Sequence, residues 1–168
     1  VLLVTSNPSE IRYANRGQFD PSLGSALARL RARIGSPAPE LTFRFVSDDS
    51  FHLLSEFRGK VVLLSVWTTS CGPCRAEMPA LNSLQKRHEA NRVAVITLAS
   101  EPRERIKRSS EKAGLMLPPF SGYSNRMDWV PNQAWPLTIV IDAVGTVREV
   151  HLGQRSEEQF DGAVRRYL

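Results

Sequence analysis

Cysteine is the rarest residue type in this 168-residue chain, with two copies in all. So few exclude a disulfide framework, and the core must come from apolar burial, which this length allows. Histidine is nearly as scarce, with His52, His88 and His151 widely separated. A structural zinc site takes four ligands, usually in two close pairs. Two cysteines and three scattered histidines do not supply them, so no metal is expected. No run approaches the ~20 apolar residues that cross a bilayer. The chain does not begin with methionine, which fits the removal of an initiator, a signal peptide or an anchor. No internal repeat and no second domain are visible.

What is present is globular in composition, with 42% hydrophobic and 23% charged residues, which argues against wholesale disorder. The formal charge of +5 reflects 22 basic against 17 acidic residues. The basic clusters are Arg29/Arg31/Arg33 and Arg103/Arg105/Lys107/Arg108. Neither carries interleaved aromatics or a nucleic-acid reading motif. They read as solvated helix faces, able at most to steer an acidic partner protein.

Both cysteines fall in one motif, Cys71-Gly72-Pro73-Cys74. The run Val61-Val62-Leu63-Leu64-Ser65-Val66-Trp67 leads into it, and its near-continuous apolar character suits a strand covered on both faces. A helical pattern leads out, with Met78, Leu81 and Leu84 on its inner side, and Pro79 is expected to kink it. A strand that ends in C-x-x-C and continues as a helix reads as a dithiol/disulfide site of thioredoxin type.

The surrounding elements read as follows. Residues 1 to 34 form an N-terminal extension, loose over 1 to 20. It then turns amphipathic, with Leu23, Leu27, Leu30 and Ile34 on one helical stripe that Gly35 ends. Leu41, Phe43 and Phe45 alternate as a strand, and Phe51 to Leu54 return as its hairpin partner. Val93 to Ala99 is a second buried strand, parallel to the first through a helical crossover. Ser100 is expected to cap the next helix, with Glu101 in its first turn. Residues 115 to 135 show no clear period. Leu137 to Ile141 is a third buried strand, and Thr146 to Leu152 its antiparallel partner. Ser156-Glu157-Glu158-Gln159 is a capping box that opens the last helix, on which Phe160, Val164 and Leu168 share a face.

At the start of a helix, unpaired backbone N–H groups and the helix dipole stabilise a thiolate. They can lower a thiol pKa from ~8.5 to as little as ~3.5–7.5. Cys71 is therefore the attacking sulfur, and Cys74, one turn on and less exposed, the resolving one. Gly72 and Pro73 let the turn close and begin the helix. The net reaction moves two electrons through a mixed disulfide. No cofactor is called for.

With these residues in hand, the chain resembles the TlpA-like thioredoxin-fold proteins. These are extracytoplasmic thiol-disulfide oxidoreductases that include the cytochrome c maturation thioredoxins. The resemblance runs from about Gly35 to the C-terminus. It rests on Ser36-Pro37-Ala38-Pro39, Phe57-Arg58-Gly59-Lys60-Val61-Val62-Leu63-Leu64, the C-G-P-C with Arg75-Ala76-Glu77-Met78-Pro79, and Trp135-Pro136-Leu137-Thr138-Ile139-Val140-Ile141-Asp142. It implies an α/β thioredoxin-like domain over 35 to 168, a central mixed sheet flanked by helices, with an N-terminal hairpin and an extra N-terminal helix. It implies that Pro136 is a cis-proline beside the cysteines and that Glu77 is a cavity acid tuning them. Trp67, Ser70, Gly72, Pro73 and Trp135 would face the substrate. The implied activity is reduction of protein disulfides outside the cytoplasm. Partners would be a client protein with thiols or a disulfide and a membrane electron donor, the protein itself acting as a monomer.

Three departures accompany the resemblance. Ser70 replaces the usual tryptophan before the first cysteine, and Ser65 replaces the buried aspartate of thioredoxins, which leaves Glu77 or water for the proton. Trp135 is large for its place before the cis-proline. Two alternatives stay open. A thiol peroxidase of the same fold would use Thr68, three residues before Cys71, but needs a proline where Leu64 stands. A non-catalytic binding module would use the groove at Pro136 without turnover.

Overall fold

The computed structural model describes residues 21–121, 129–130 and 135–168. The expected loose segment over 1 to 20 lies outside them. Among the described residues thirteen elements follow one another: α1 (Pro21–Arg31), the hairpin β1 (Thr42–Phe45) and β2 (Phe51–Leu53), a 3-10 turn (Leu54–Phe57), β3 (Val61–Trp67), α2 (Gly72–Ala76) and α3 (Met78–Arg87). Then come β4 (Val93–Ala99), α4 (Arg103–Lys112), β5 (Pro119–Ser121), β6 (Leu137–Ile141), β7 (Val147–Leu152) and α5 (Glu157–Arg165). The strands form one mixed sheet in the order β2-β1-β5-β4-β3-β6-β7. β3 pairs in parallel with β4 and antiparallel with β6, so the strand feeding the cysteines is central.

Strands β3 and β4 are buried at all seven positions each, which is why neither alternates in sequence. Their residues divide between the two faces by parity. On one face Val62, Leu64 and Val66 pack with Ile96, Leu98, Ile139 and Ile141, and α1 lays Leu27 and Leu30 over them. On the other, Val61 and Leu63 pack with Val93, Val95 and Val140 beneath Leu81 and Leu84 of α3 and Phe160 and Val164 of α5. Of the expected apolar stripe, Leu27 and Leu30 are thus seated on the sheet. The segment before β1 is fastened to the β6–β7 turn, where Ala38 N–H donates to the Gly145 carbonyl at 2.8 Å and Val147 N–H to that of Ser36 at 3.0 Å.

Several boundaries differ from the sequence expectations. α1 ends at Arg31, and Ile34 lies beyond it, 47% exposed, as Leu168 lies beyond α5. Gly35 follows with φ +88°, the left-handed backbone that glycine adopts freely. The helix after the cysteines is divided at Glu77 rather than bent at Pro79, and Pro79 opens α3 in its first turn. Proline has no N–H to return to residue 75 and its ring crowds that carbonyl, so the chain starts a new helix instead. α4 begins at Arg103 with Pro102 as its N-cap, so Ser100 does not cap it and Glu104 is the acid of its first turn. Pro102 keeps the residue before it out of the helical region. The short strand β5 went unread, yet it joins the hairpin to the sheet, pairing in parallel with β4 and antiparallel with β1. The capping box of α5 forms as expected, with Gln159 N–H donating to Ser156 Oγ and Ser156 N–H to Gln159 Oε1.

Candidate active site

The cysteines stand at the exit of β3. The chain leaves the sheet after Trp67, turns through Thr68–Ser70, and Cys71 becomes the N-cap of α2 with extended backbone. Cys71 and Cys74 are joined, S–S 2.05 Å. Cys74 N–H donates to Cys71 Sγ at 3.1 Å, so the sulfur does the work of a capping oxygen. The same donor would favour a thiolate at Cys71 once the bond is reduced, because a hydrogen bond to the charged form stabilises that form. The two sulfurs differ in access. Cys71 is half-buried, whereas Cys74 is 1% exposed and packs with Trp67, Met78, Ala99 and Ile106.

A clamp holds the turn that carries Cys71. Glu101, just past the end of β4, accepts from Thr69 N–H and from Thr69 Oγ1, each at 2.6 Å. Arg75 Nη1 donates to the Thr69 carbonyl at 2.8 Å. Both sides of one residue are therefore fixed by charged groups, one of them 32 positions away in sequence. Glu101 was not among the residues expected at the site. The one available signal was its place at the carboxyl end of a central parallel strand, where sites in α/β sheets collect.

The Trp135–Pro136 peptide is cis. Leu137 pairs with Val66 across β3 and β6, which sets Pro136 beside Trp67 and next to the turn leading to the cysteines. Pro136 is buried, and its carbonyl accepts from Gly153 N–H at 2.9 Å. Ser70, Gly72, Pro73 and Trp135 are exposed around Cys71 and Pro136. Trp67 is not: at 2% exposure it lies under the cysteines, with no surface to offer a client.

Glu77 is the unusual group here. It is 2% exposed and follows Cys74 by three residues, which puts the two on one helical face. Its Oε2 accepts from Arg155 N–H at 3.2 Å, and its Oε1 is buried without a partner. Burial in low dielectric raises its pKa from 4.5 to about 7, opposed by that hydrogen bond and by the Arg155 charge. On the same side of the sheet a row of hydroxyls crosses three strands in register: Thr97, Ser65 and Thr138. All three are buried, and the Thr97 and Thr138 oxygens have no hydrogen-bond partner. The layer below the cysteines is thus polar, between apolar rows on either side. No group of three or more candidate metal ligands occurs among the described residues.

A redox-type cysteine pair at a helix start, backed by a buried acid and flanked by a cis-proline on a mixed sheet, defines a thioredoxin-fold protein with a dithiol/disulfide centre. Residues 34–150 match the AhpC/TSA family, and the chain belongs to it. It is 31% identical over 133 residues to the thiol-disulfide oxidoreductase ResA of Geobacillus kaustophilus, covering 76% of this chain and 74% of that one. It is 28% identical over 131 residues to the thioredoxin-like protein YneN of Bacillus subtilis, covering 76% of each. Among solved structures, a thioredoxin-family thiol:disulfide interchange protein from Chlorobium tepidum superposes with a TM-score of 0.65 at 25% identity. That match covers 78% of this chain and 94% of its counterpart. The family resemblance and the fold class read from the sequence hold.

Proposed function

We propose that the protein is a thiol-disulfide oxidoreductase that reduces disulfides of protein clients, with Cys71 attacking and Cys74 resolving. The observation that carries this reading is the asymmetry of the pair: one sulfur accessible and held by a backbone N–H, the other buried behind it. The names of the relatives support the same activity. In the reaction, the Cys71 thiolate attacks one sulfur of the client disulfide. A Cys71–client bond forms, the client S–S bond breaks, and the first client thiolate leaves and takes a proton from water. Cys74 then passes its proton to the Glu77 carboxylate, and its thiolate attacks Cys71 Sγ. The Cys71–Cys74 bond forms, the Cys71–client bond breaks, and the second client thiolate leaves and takes a proton from water. Two electrons have passed from dithiol to client, and a protein dithiol must return them.

In this reading Glu77 takes the proton because Ser65, at the centre of the hydroxyl row, has no basic form to accept it. Pro136 shapes the groove, while Ser70, Gly72, Pro73 and Trp135 meet the client. The resemblance supports a location outside the cytoplasm, with a membrane protein as electron donor. No helix among the described residues is long and apolar enough to cross a membrane.

Substituting each cysteine tests the reading. Cys74→Ser should accumulate a mixed disulfide with a disulfide-bearing client, visible as a shift that added dithiothreitol reverses. Cys71→Ala should form no adduct and reduce no insulin disulfides. Wild-type reduction rates in both variants would refute the assignment. Peroxide consumption that survives Cys74→Ser would assign a peroxidase instead.

A further inference from the structure

Glu77 and Arg155 present an unusual coincidence. Each carries a buried polar atom without a partner, an acceptor in Glu77 Oε1 and a donor in Arg155 Nε. The two residues are already tethered, since Arg155 N–H donates to the other carboxylate oxygen at 3.2 Å. A buried donor and a buried acceptor left open cost free energy that one hydrogen bond between them would recover. The tether holds the two residues side by side, the backbone of one against the carboxylate of the other.

Arg155 Nε has no partner, although the Arg155 charge is drawn to Glu149 as well as to Glu77. On β7, Glu149 is the competing carboxylate, and three donors already serve it. His151 Nε2 lies 2.6 Å from its Oε2, and Tyr167 OH donates to its Oε1 at 3.0 Å. Arg166 Nη1, just past α5, donates to that same Oε1. Burial holds His151 below its ordinary pKa, and the Arg155 charge adds to that effect. On the α2 side, Cys71 and Cys74 carry no charge while joined. Among the described residues, the cation next to Glu77 with a buried donor unused is therefore Arg155.

We propose that Arg155 is a positioning residue for the thiol chemistry: its guanidinium Nε closes on Glu77 Oε1 when Glu77 ionises, and so sets how readily Glu77 exchanges a proton with Cys74. The inference rests on the reading of Glu77 as the proton acceptor, and one part of the test separates the two. With Glu77 neutral, the carboxyl group needs little from a cation and the single backbone bond suffices. With Glu77 ionised, a buried carboxylate gains a charge-assisted partner, the stronger kind of hydrogen bond. Arg155 thus lowers the cost of the state in which Glu77 can accept the proton of Cys74.

The experiment follows the Glu77 carboxyl carbon by NMR across pH in the oxidised full chain, comparing wild type with Arg155→Gln, Arg155→Lys and Glu149→Gln. A cation within ~4–6 Å lowers a carboxyl pKa by about one to three units. Arg155→Gln should therefore raise the proton affinity of Glu77 by about tenfold or more. Arg155→Lys keeps the charge but lacks the Nε–H that closes on Oε1, so it should fall between wild type and Arg155→Gln, whereas Glu149→Gln should stay within about threefold of wild type. The proposal is overturned by unchanged titration in Arg155→Gln, by wild-type titration in Arg155→Lys, or by a larger change in Glu149→Gln. The pH profile for insulin disulfide reduction is read in parallel. If the titration of Glu77 moves and the profile does not, Arg155 governs Glu77 as proposed and the proton-acceptor reading of Glu77 fails.

Discussion

Replacing Glu77 with glutamine should make the oxidised protein more stable at pH 8 and leave it little changed at pH 4. The sign follows from linkage. The carboxyl ionises near 4.5 in the unfolded chain and near 7 in the fold, because burial disfavours its charged form. Between those values the unfolded state has released a proton that the folded state still holds, so stability falls as pH rises through this window. Each tenfold change in proton affinity is about 1.4 kcal/mol, so the full loss is about 3 kcal/mol, complete above pH 7. Glutamine keeps the shape and the acceptor for Arg155 N–H but cannot ionise, so it escapes the loss. Urea unfolding of both proteins with the disulfide intact, at pH 4 and pH 8, gives the comparison. Titration of Glu149, His151 and the other groups is common to both chains and cancels in the difference. The gap in unfolding free energy should widen by about 3 kcal/mol toward pH 8. A gap that stays constant within about 1 kcal/mol would refute the claim that Glu77 is held neutral by burial. The same variant should reduce insulin disulfides more slowly than wild type at pH 8, where wild-type Glu77 is ionised and able to take a proton.

Other perturbations follow from the packing and the turn. Glu101→Ala frees Thr69 from two charged hydrogen bonds at a half-exposed site and should cost about 1 kcal/mol in chemical unfolding. It should also lower kcat/KM for insulin reduction, since the turn bearing Cys71 loses its clamp, whereas Glu101→Gln retains one of the two bonds and should fall between. Ser156→Ala removes the capping box of α5 and should cost about 1 kcal/mol, read as a lower urea midpoint with unchanged slope. Leu30→Ala empties a fully buried position on α1 and should cost about 2–5 kcal/mol in the same assay. An unchanged midpoint would mean that α1 contributes nothing to the sheet it covers.

The parts of the fold that a one-dimensional pattern encodes were legible. β3 and β4 are unbroken apolar runs because both faces are covered, and Ser156 to Gln159 is a local signal that needs no tertiary partner. The cysteine pair was legible for the same reason, its chemistry depending on spacing and on a helix start. Features decided by distant partners were not. β5 is a three-residue strand beginning with a proline, too short for any period, and it exists because β1 and β4 leave a gap between them. Glu101 read as a helix-start acid until Pro102 deferred the helix and Thr69, 32 positions away, took the carboxylate. The resemblance put Trp67 among the client-facing residues, but it packs beneath the cysteines with Met78, Ala99 and Ile106. Arg155 carries no motif, and its relation to Glu77 depends on a contact spanning 78 positions.

The AhpC/TSA match begins at residue 34 and ends at 150, which omits α1 before it and α5 after it. Each of these helices shields one side of the sheet, α1 through Leu27 and Leu30 and α5 through Phe160, Ala163 and Val164. A chain trimmed to the shared span would keep both sulfurs, the cis-proline and α3, yet lose part of the apolar cover on each face of the sheet. The stretches outside the family match therefore carry part of the cover on each face of the sheet, so an independently folding version must extend past the match at both ends.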